Sequence, residues 1–296
     1  MPDSKRFLHP EAIKRIARMD LRARQVVEGY LSGMHRSPHF GQSVEFRQHR
    51  QYTPGDDLRH VDWQVWARQD RLYIKQYESD EKMQGNLLVD ISNSMTFGSG
   101  HLNKFEYEAT IAVSLAYLAL RNQDSVGCLT FDNQIRNRLK PMSNKNQLHS
   151  IMSVLDAASL ESKTDMTKIL ASAAGSLTKR GMVILISDLL SDPAATIKSL
   201  RLLTQRGHDV LVFHVMDDEE IDFPFTGPTK FEDMESDTTV NCNPKALKAG
   251  YLTALNEFLT ELRRGCAKSA VQYALVKTGD PLDAVLAQFL SARMAM

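Results

Sequence analysis

Asp90, Ser92 and Ser94, in the stretch LLVDISNSM, place one carboxylate and two hydroxyls on alternate residues. All three are hard oxygen donors. A chain that turns on leaving a strand directs such a set into one crevice, where it suits Mg²⁺, with Mn²⁺ or Ca²⁺ as substitutes. Two further oxygens come later: Thr164, in SKTDMTKIL just ahead of a helical pattern, and Asp188, in VILISDLL at the end of an apolar run. Thr167 lies one turn beyond Thr164 and offers the same hydroxyl. By average residue usage, Asp-x-Ser-x-Ser turns up in a chain of this length on the order of a few times in a hundred, so the motif alone decides nothing. Its position does. A strand precedes it, and a Thr before a helix and an Asp at a strand end follow in order, which together read as a metal site.

Those residues need strand ends to sit on, and the chain supplies them. From residue 86 short apolar runs alternate with helical patterns, as in a parallel sheet with helices on both faces. The predicted strands are Leu87 to Ile91, Val126 to Phe131, Met182 to Ser187, Val210 to Val215 and Val271 to Val276. The segment from Phe105 to Leu120 is apolar almost all round and predicts a deeply packed helix. Asp192-Pro193, Asn243-Pro244 and Asp280-Pro281 each pair an N-cap oxygen with proline at the first helical position. Asp132-Asn133 before Ile135 to Leu139 predicts a tight return to an antiparallel edge strand. The stretch from Asp217 to Cys242 is an acidic insertion, expected to be an exposed loop with a hairpin near Glu235 to Asp237. The fold expected is α/β, doubly wound and mostly parallel. Its crevice lies where the second half of the sheet restarts beside the first strand, flanked by Asp90 and Asp188.

Residues 1–85 differ, with many Arg and His and little alternation of elements, and are expected to form an accessory region ahead of the domain at 86–296. Pro10 to Ser32 carries apolar residues at helical spacing and predicts one amphipathic helix. Tyr52-Thr53-Pro54-Gly55-Asp56-Asp57 reads as a turn. Around it, Arg47, Arg50, Arg59, Asp62 and Trp63 suit either a packed ion-pair and stacking cluster, the structural reading we favour, or a landing surface for a partner. His35, His39, His49 and His60 invite a zinc reading. Pro38 keeps His35 and His39 off one helix face and no Cys joins them, which counts against it.

Composition narrows the function. Lys plus Arg and Asp plus Glu both number 36 in 296 residues, which disfavours a dedicated nucleic-acid or membrane-surface protein. The basic surplus of residues 1–50 is local and leaves nucleic-acid binding as a minor alternative. Three widely spaced cysteines, Cys128, Cys242 and Cys266, suggest no disulfide framework and fit a reducing cytoplasm. No targeting or membrane segment is expected from the sequence. A Mg²⁺-dependent phosphotransfer enzyme with Asp90 as nucleophile is the main rival. It lacks the second acid two residues on, where Ser92 stands, and no phosphate loop, nucleophile elbow or His-Glu-x-x-His helix occurs. Protein binding without catalysis is expected.

The Asp90, Ser92, Ser94, Thr164 and Asp188 set resembles the metal-ion-dependent adhesion site (MIDAS) of von Willebrand factor A domains. That resemblance implies hydroxyl ligands from Ser92, Ser94 and Thr164, and Asp90 and Asp188 acting mainly through water. The family's usual small-residue lead into the Thr is here Ser162-Lys163. A second likeness covers nearly the whole chain. The run EFRQHRQYTPGDDLRHVDWQVWARQDRLYIKQYE at 45–78, ISDLL, RGHDVLVFHVMD and GDPLDAVLAQFL resemble the soluble branch of the bacterial domain of unknown function 58 family (DUF58), whose members are encoded beside MoxR-type AAA+ ATPases. The resemblance implies a von Willebrand A-like domain, a MoxR-type ATPase partner, and a client offering an acidic residue. Asn93, Arg47, Arg50, Arg59 and Trp63 are then candidates for contacting a partner.

Overall fold

The computed structural model describes residues 46–53, 63, 65–66, 72–77, 83–144, 146–160, 166–177, 179–232 and 239–287. The chain divides into two units, Met34–Lys82 and Met1–Gly33 with Met83–Met296. The helix expected at Pro10 to Ser32 lies outside the described residues.

In the smaller unit, β1 (Phe46–Gln51) pairs antiparallel with β2 (Tyr73–Tyr77), from Phe46 opposite Tyr77 to Gln51 opposite Tyr73. The Tyr52 N–H extends the pairing by donating to the Leu72 carbonyl at 2.9 Å. This hairpin was not expected, because the strands are rich in Arg, Gln and Lys and carry no clear apolar alternation. Trp63 is 56 % exposed and meets Trp66 edge-on at 6.0 Å. Arg47 and Arg50 fall on β1, while Arg59 and Asp62 lie outside the described residues.

The larger unit is built on a sheet formed by β3 (Gln84–Asp90), β4 (Ser125–Phe131), β5 (Ile135–Met142), β6 (Met182–Ser187), β7 (Asp209–Met216) and β10 (Val271–Lys277). Its order is β10-β7-β6-β3-β4-β5, parallel throughout except for β5 at the edge. The expected α/β fold class is the one observed. β6 is buried at every residue, which is why it reads as an unbroken apolar run: a central parallel strand is covered on both faces. At the edge, Gly127 lets β5 bulge onto β4, since a Cβ there would come within 2.7 Å of the Leu139 carbonyl oxygen.

One face is covered by α1 (Lys104–Arg121) and α2 (Asn146–Asp156), with Tyr107, Ile111, Ile151 and Leu155 fully buried against Leu87, Ile186 and Phe213. Leu286, from helical residues 282–287, joins them. The other face carries α3 (Met166–Ser176), α4 (Pro193–Gln205) and α6 (Pro244–Lys268), through Leu170, Leu200 and Leu262. Asp192 and Asn243 cap α4 and α6 as predicted. Asp280 does not follow the pattern: its carboxylate reaches back to the Lys277 N–H at 3.1 Å.

The acidic insertion is only partly the exposed loop expected. It opens with α5 (Asp218–Asp222), a single turn capped by the fully buried Asp217. It continues into β8 (Thr229–Glu232) paired antiparallel with β9 (Thr239–Cys242), so the hairpin is present and its tip, 233–238, lies outside the described residues.

Candidate functional site

β3 and β6 are neighbours, with Val89 opposite Ile186. The chain leaves β3 for β4 through α1 on one face and leaves β6 for β7 through α4 on the other, which opens a crevice between their carboxyl ends. Asp90 is the last residue of β3 and is 1 % exposed. Its Oδ1 accepts the Ser92 N–H at 3.0 Å, a side-chain turn that ends the strand and starts a 3-10 turn at Asn93–Thr96. The turn is pinned by buried Met95, whose N–H donates to the Ser92 carbonyl at 3.2 Å. This winding brings the hydroxyls of Ser92 and Ser94 within 3.0 Å of one another, both buried, and leaves Asn93 half-buried between them.

The β6 side interlocks with it. The Ser187 hydroxyl donates to Asp90 Oδ2 at 2.6 Å and accepts the Leu189 N–H at 2.9 Å. Leu189 is fully buried at φ 51°, a left-handed conformation costly for a leucine and held by its packing together with that hydrogen bond from its N–H. The kink sets Asp188, 3 % exposed, at the crevice and turns Leu190, 56 % exposed, outward. Asp188 Oδ1 accepts the Leu190 N–H at 3.3 Å.

Sequence reasoning missed the cation already there. Lys104, the first residue of α1 and 1 % exposed, donates at 2.8 Å both to Asp188 Oδ2 and to Glu220 Oε1. Glu220 Oε2 in turn accepts the Asp217 N–H at 2.8 Å, completing the cap of α5. Asp217 takes the Ser99 N–H at 3.0 Å, the Ser99 hydroxyl at 2.5 Å and the Thr278 hydroxyl at 2.7 Å. Glu108, one turn along α1 from Lys104, is fully buried, and neither carboxyl oxygen has a hydrogen-bond partner among the described residues. Two signals were available: a lysine at a helix N-terminus opposes the helix dipole, and a Glu inside an otherwise apolar helix needs a reason.

The electrostatics follow from crowding buried acids. Burial, then the charge of Asp188, pushes the Asp90 carboxyl up to about 7, against the hydrogen bonds from Ser187 and Ser92. Burial, then Asp90 and Asp188, holds Glu108 well above the usual carboxylate range, with Lys104 opposing. For Lys104, burial works to lower its pKa, but the charges of Asp188 and Glu220 outweigh that and leave it above the ordinary lysine value. Two buried carboxylates that repel, beside paired hydroxyls, form a donor set that fits a hard cation.

Of the five residues expected to hold metal, Asp90, Ser92, Ser94 and Asp188 converge on this crevice; Thr164 lies outside the described residues, and Thr167 is exposed on α3. Among the described residues, no group of three or more His, Cys, Asp or Glu side chains is placed to hold a metal ion. Any ion here would therefore depend on the hydroxyls as much as on the carboxylates.

A model of the family described as protein of unknown function DUF58 matches residues 48–258. The chain belongs to the DUF58 family. The match runs from β1 into α6 and takes in Asp90, Ser92, Ser94, Lys104, Thr164, Asp188 and Glu220. An uncharacterized protein of Mycobacterium tuberculosis is 27 % identical to this DUF58 chain over 231 residues, 77 % of this chain and 72 % of that one. Among solved structures, BatB from Bacteroides thetaiotaomicron shares 16 % identity over 72 % of this chain and 100 % of its own, with a TM-score of 0.47. An aerotolerance-related membrane protein from Bacteroides fragilis shares 17 % identity over 72 % and 99 %, with a TM-score of 0.49. Likeness at that level says nothing of function. Among the described residues of this DUF58 protein, no helix is long and apolar enough to cross a membrane.

Proposed function

We propose that this DUF58 protein is an adaptor that binds an acidic side chain of a partner protein at the β3–β6 crevice, with the help of a hard divalent cation. Asp90, Ser92, Ser94 and Asp188, joined by Thr164, would hold Mg²⁺, or Mn²⁺ or Ca²⁺ in its place. The observation that carries this reading is the placement of two buried carboxylates, Asp90 and Asp188, at the ends of neighbouring strands, beside two hydroxyls 3.0 Å from one another at a topological switch point. The ion would supply unspent positive charge to a partner's carboxylate. Ser92 and Ser94 are neutral, so they bind without cancelling that charge, and the exposed Leu190 beside Asp188 gives the partner an apolar contact.

The partners we propose are a MoxR-type AAA+ ATPase, which would perform any ATP hydrolysis, and a client protein, both on the strength of family resemblance. The setting we propose is the cytoplasm, which suits Cys128 and Cys266 as buried free thiols. Catalysis by Asp90 is disfavoured by its surroundings: the carboxylate is 1 % exposed and each oxygen already accepts a hydrogen bond. Titration calorimetry with Mg²⁺ and Mn²⁺ on the wild type and Asp188→Ala tests the proposal. One binding event in the wild type, lost in the variant, is expected; equal binding by both would rule out the site.

A further inference from the structure

Lys104 stands where a positive charge is doubly disfavoured, in the first turn of a helix and out of water. It is held there by two carboxylates, each at 2.8 Å, and one of them is Asp188. The other, Glu220, is itself fixed, because its second oxygen closes the cap of α5 on the Asp217 N–H. The ammonium thus occupies one oxygen of a residue proposed to hold metal, on a support that does not depend on that residue.

We propose that Lys104 is the built-in counter-cation of the crevice and sets its affinity for divalent ions, with Glu220 as the anchor that retains the ammonium. This rests on the metal reading above and deepens it. Without metal, Lys104 neutralises Asp188. An ion held by Asp90, Ser92 and Ser94 has to share Asp188 with a like charge, so the site is kept weak and exchangeable. Lys104 then leans on Glu220, and through Glu220 and Asp217 the change reaches Ser99, in the loop that follows the Ser92–Ser94 turn.

The test is Mn²⁺ titration calorimetry on the full chain as wild type, Lys104→Gln and Lys104→Arg, with circular dichroism to confirm folding. Removing the charge should raise Mn²⁺ affinity about tenfold or more, while the arginine variant, which keeps it, stays close to wild type. A structural role alone would move both variants alike. In parallel, the ¹⁵N ammonium resonance of Lys104 in wild-type protein should shift on Mg²⁺ addition, a readout that survives if Lys104→Gln fails to fold. Wild-type binding with the two folded variants equal to it, or with an unmoved ammonium resonance, overturns the role of Lys104 alone. Absence of binding in all three chains overturns the metal reading with it.

Discussion

The Ser187 hydroxyl donates a 2.6 Å hydrogen bond to Asp90 Oδ2, so the end of β6 holds the carboxylate at the end of β3. The same oxygen accepts the Leu189 N–H and steadies the left-handed kink behind Asp188. One small side chain thereby fixes both walls of the crevice.

Ser187→Ala should therefore cost more than an ordinary hydroxyl deletion. It strips a buried carboxyl of a donor and a buried N–H of its acceptor, which together should destabilise the fold by about 2–4 kcal/mol. Urea unfolding followed by circular dichroism measures it. A loss below about 0.5 kcal/mol, the usual scale of an inconsequential surface change, would mean the bond contributes little.

The Lys104 cluster should show the asymmetry of buried ion pairs. Glu220→Ala leaves Lys104 with Asp188, and should destabilise by about 1–3 kcal/mol, part of it from the lost α5 cap. Lys104→Met leaves two buried carboxylates facing each other and should cost about 3–5 kcal/mol. Thermal unfolding of both variants gives the order; Glu220→Ala as the more damaging change would contradict the geometry.

The sheet was legible because buried parallel strands write themselves as apolar runs, and the caps at Asp192 and Asn243 because cap chemistry is local. The crevice acids were legible for the same reason: Asp90 and Asp188 follow directly on such runs. Lys104 and Glu220 were not. They are 116 residues apart, and each alone reads as a solvated charge, the lysine in a helix start and the glutamate in an acidic stretch. The fold brings them together because β7, whose end leads into α5, lies in the same sheet as β3 with only β6 between them. The β1–β2 hairpin escaped because its strands lack an apolar stripe.

The thiols give a test of the core independent of any ligand. Burial, then the charge of Glu108, pushes the Cys128 thiol up to about 12, and burial pushes Cys266 up to about 11. Raised values mean less thiolate at any given pH, so both should resist iodoacetamide at pH 8 in the native state and react once denatured. Peptide mass spectrometry locates the label. Rapid native alkylation of Cys128 would contradict its place on β4 beneath α1.

Partner capture separates the ion from the surface around it. Ser92→Ala combined with Ser94→Ala removes two neutral donors and no charge, so the fold should stand while a cation loses half of the donors described at the crevice. Capture of a MoxR-type ATPase or an acidic client should fall about tenfold or more, the scale expected when one charge-assisted interaction is removed from an interface. Chelation of the wild type should match that fall, and chelation of the double variant should add nothing, because both act on one interaction. Leu190→Ser should weaken capture without changing calorimetric Mn²⁺ binding, since that side chain is 56 % exposed and its carboxylate-bound N–H is retained. Full-strength capture by a folded Ser92→Ala, Ser94→Ala double variant would remove the crevice as the docking point. Attention would then move to the exposed Trp63 and Trp66, which meet edge to face in the other unit of the chain.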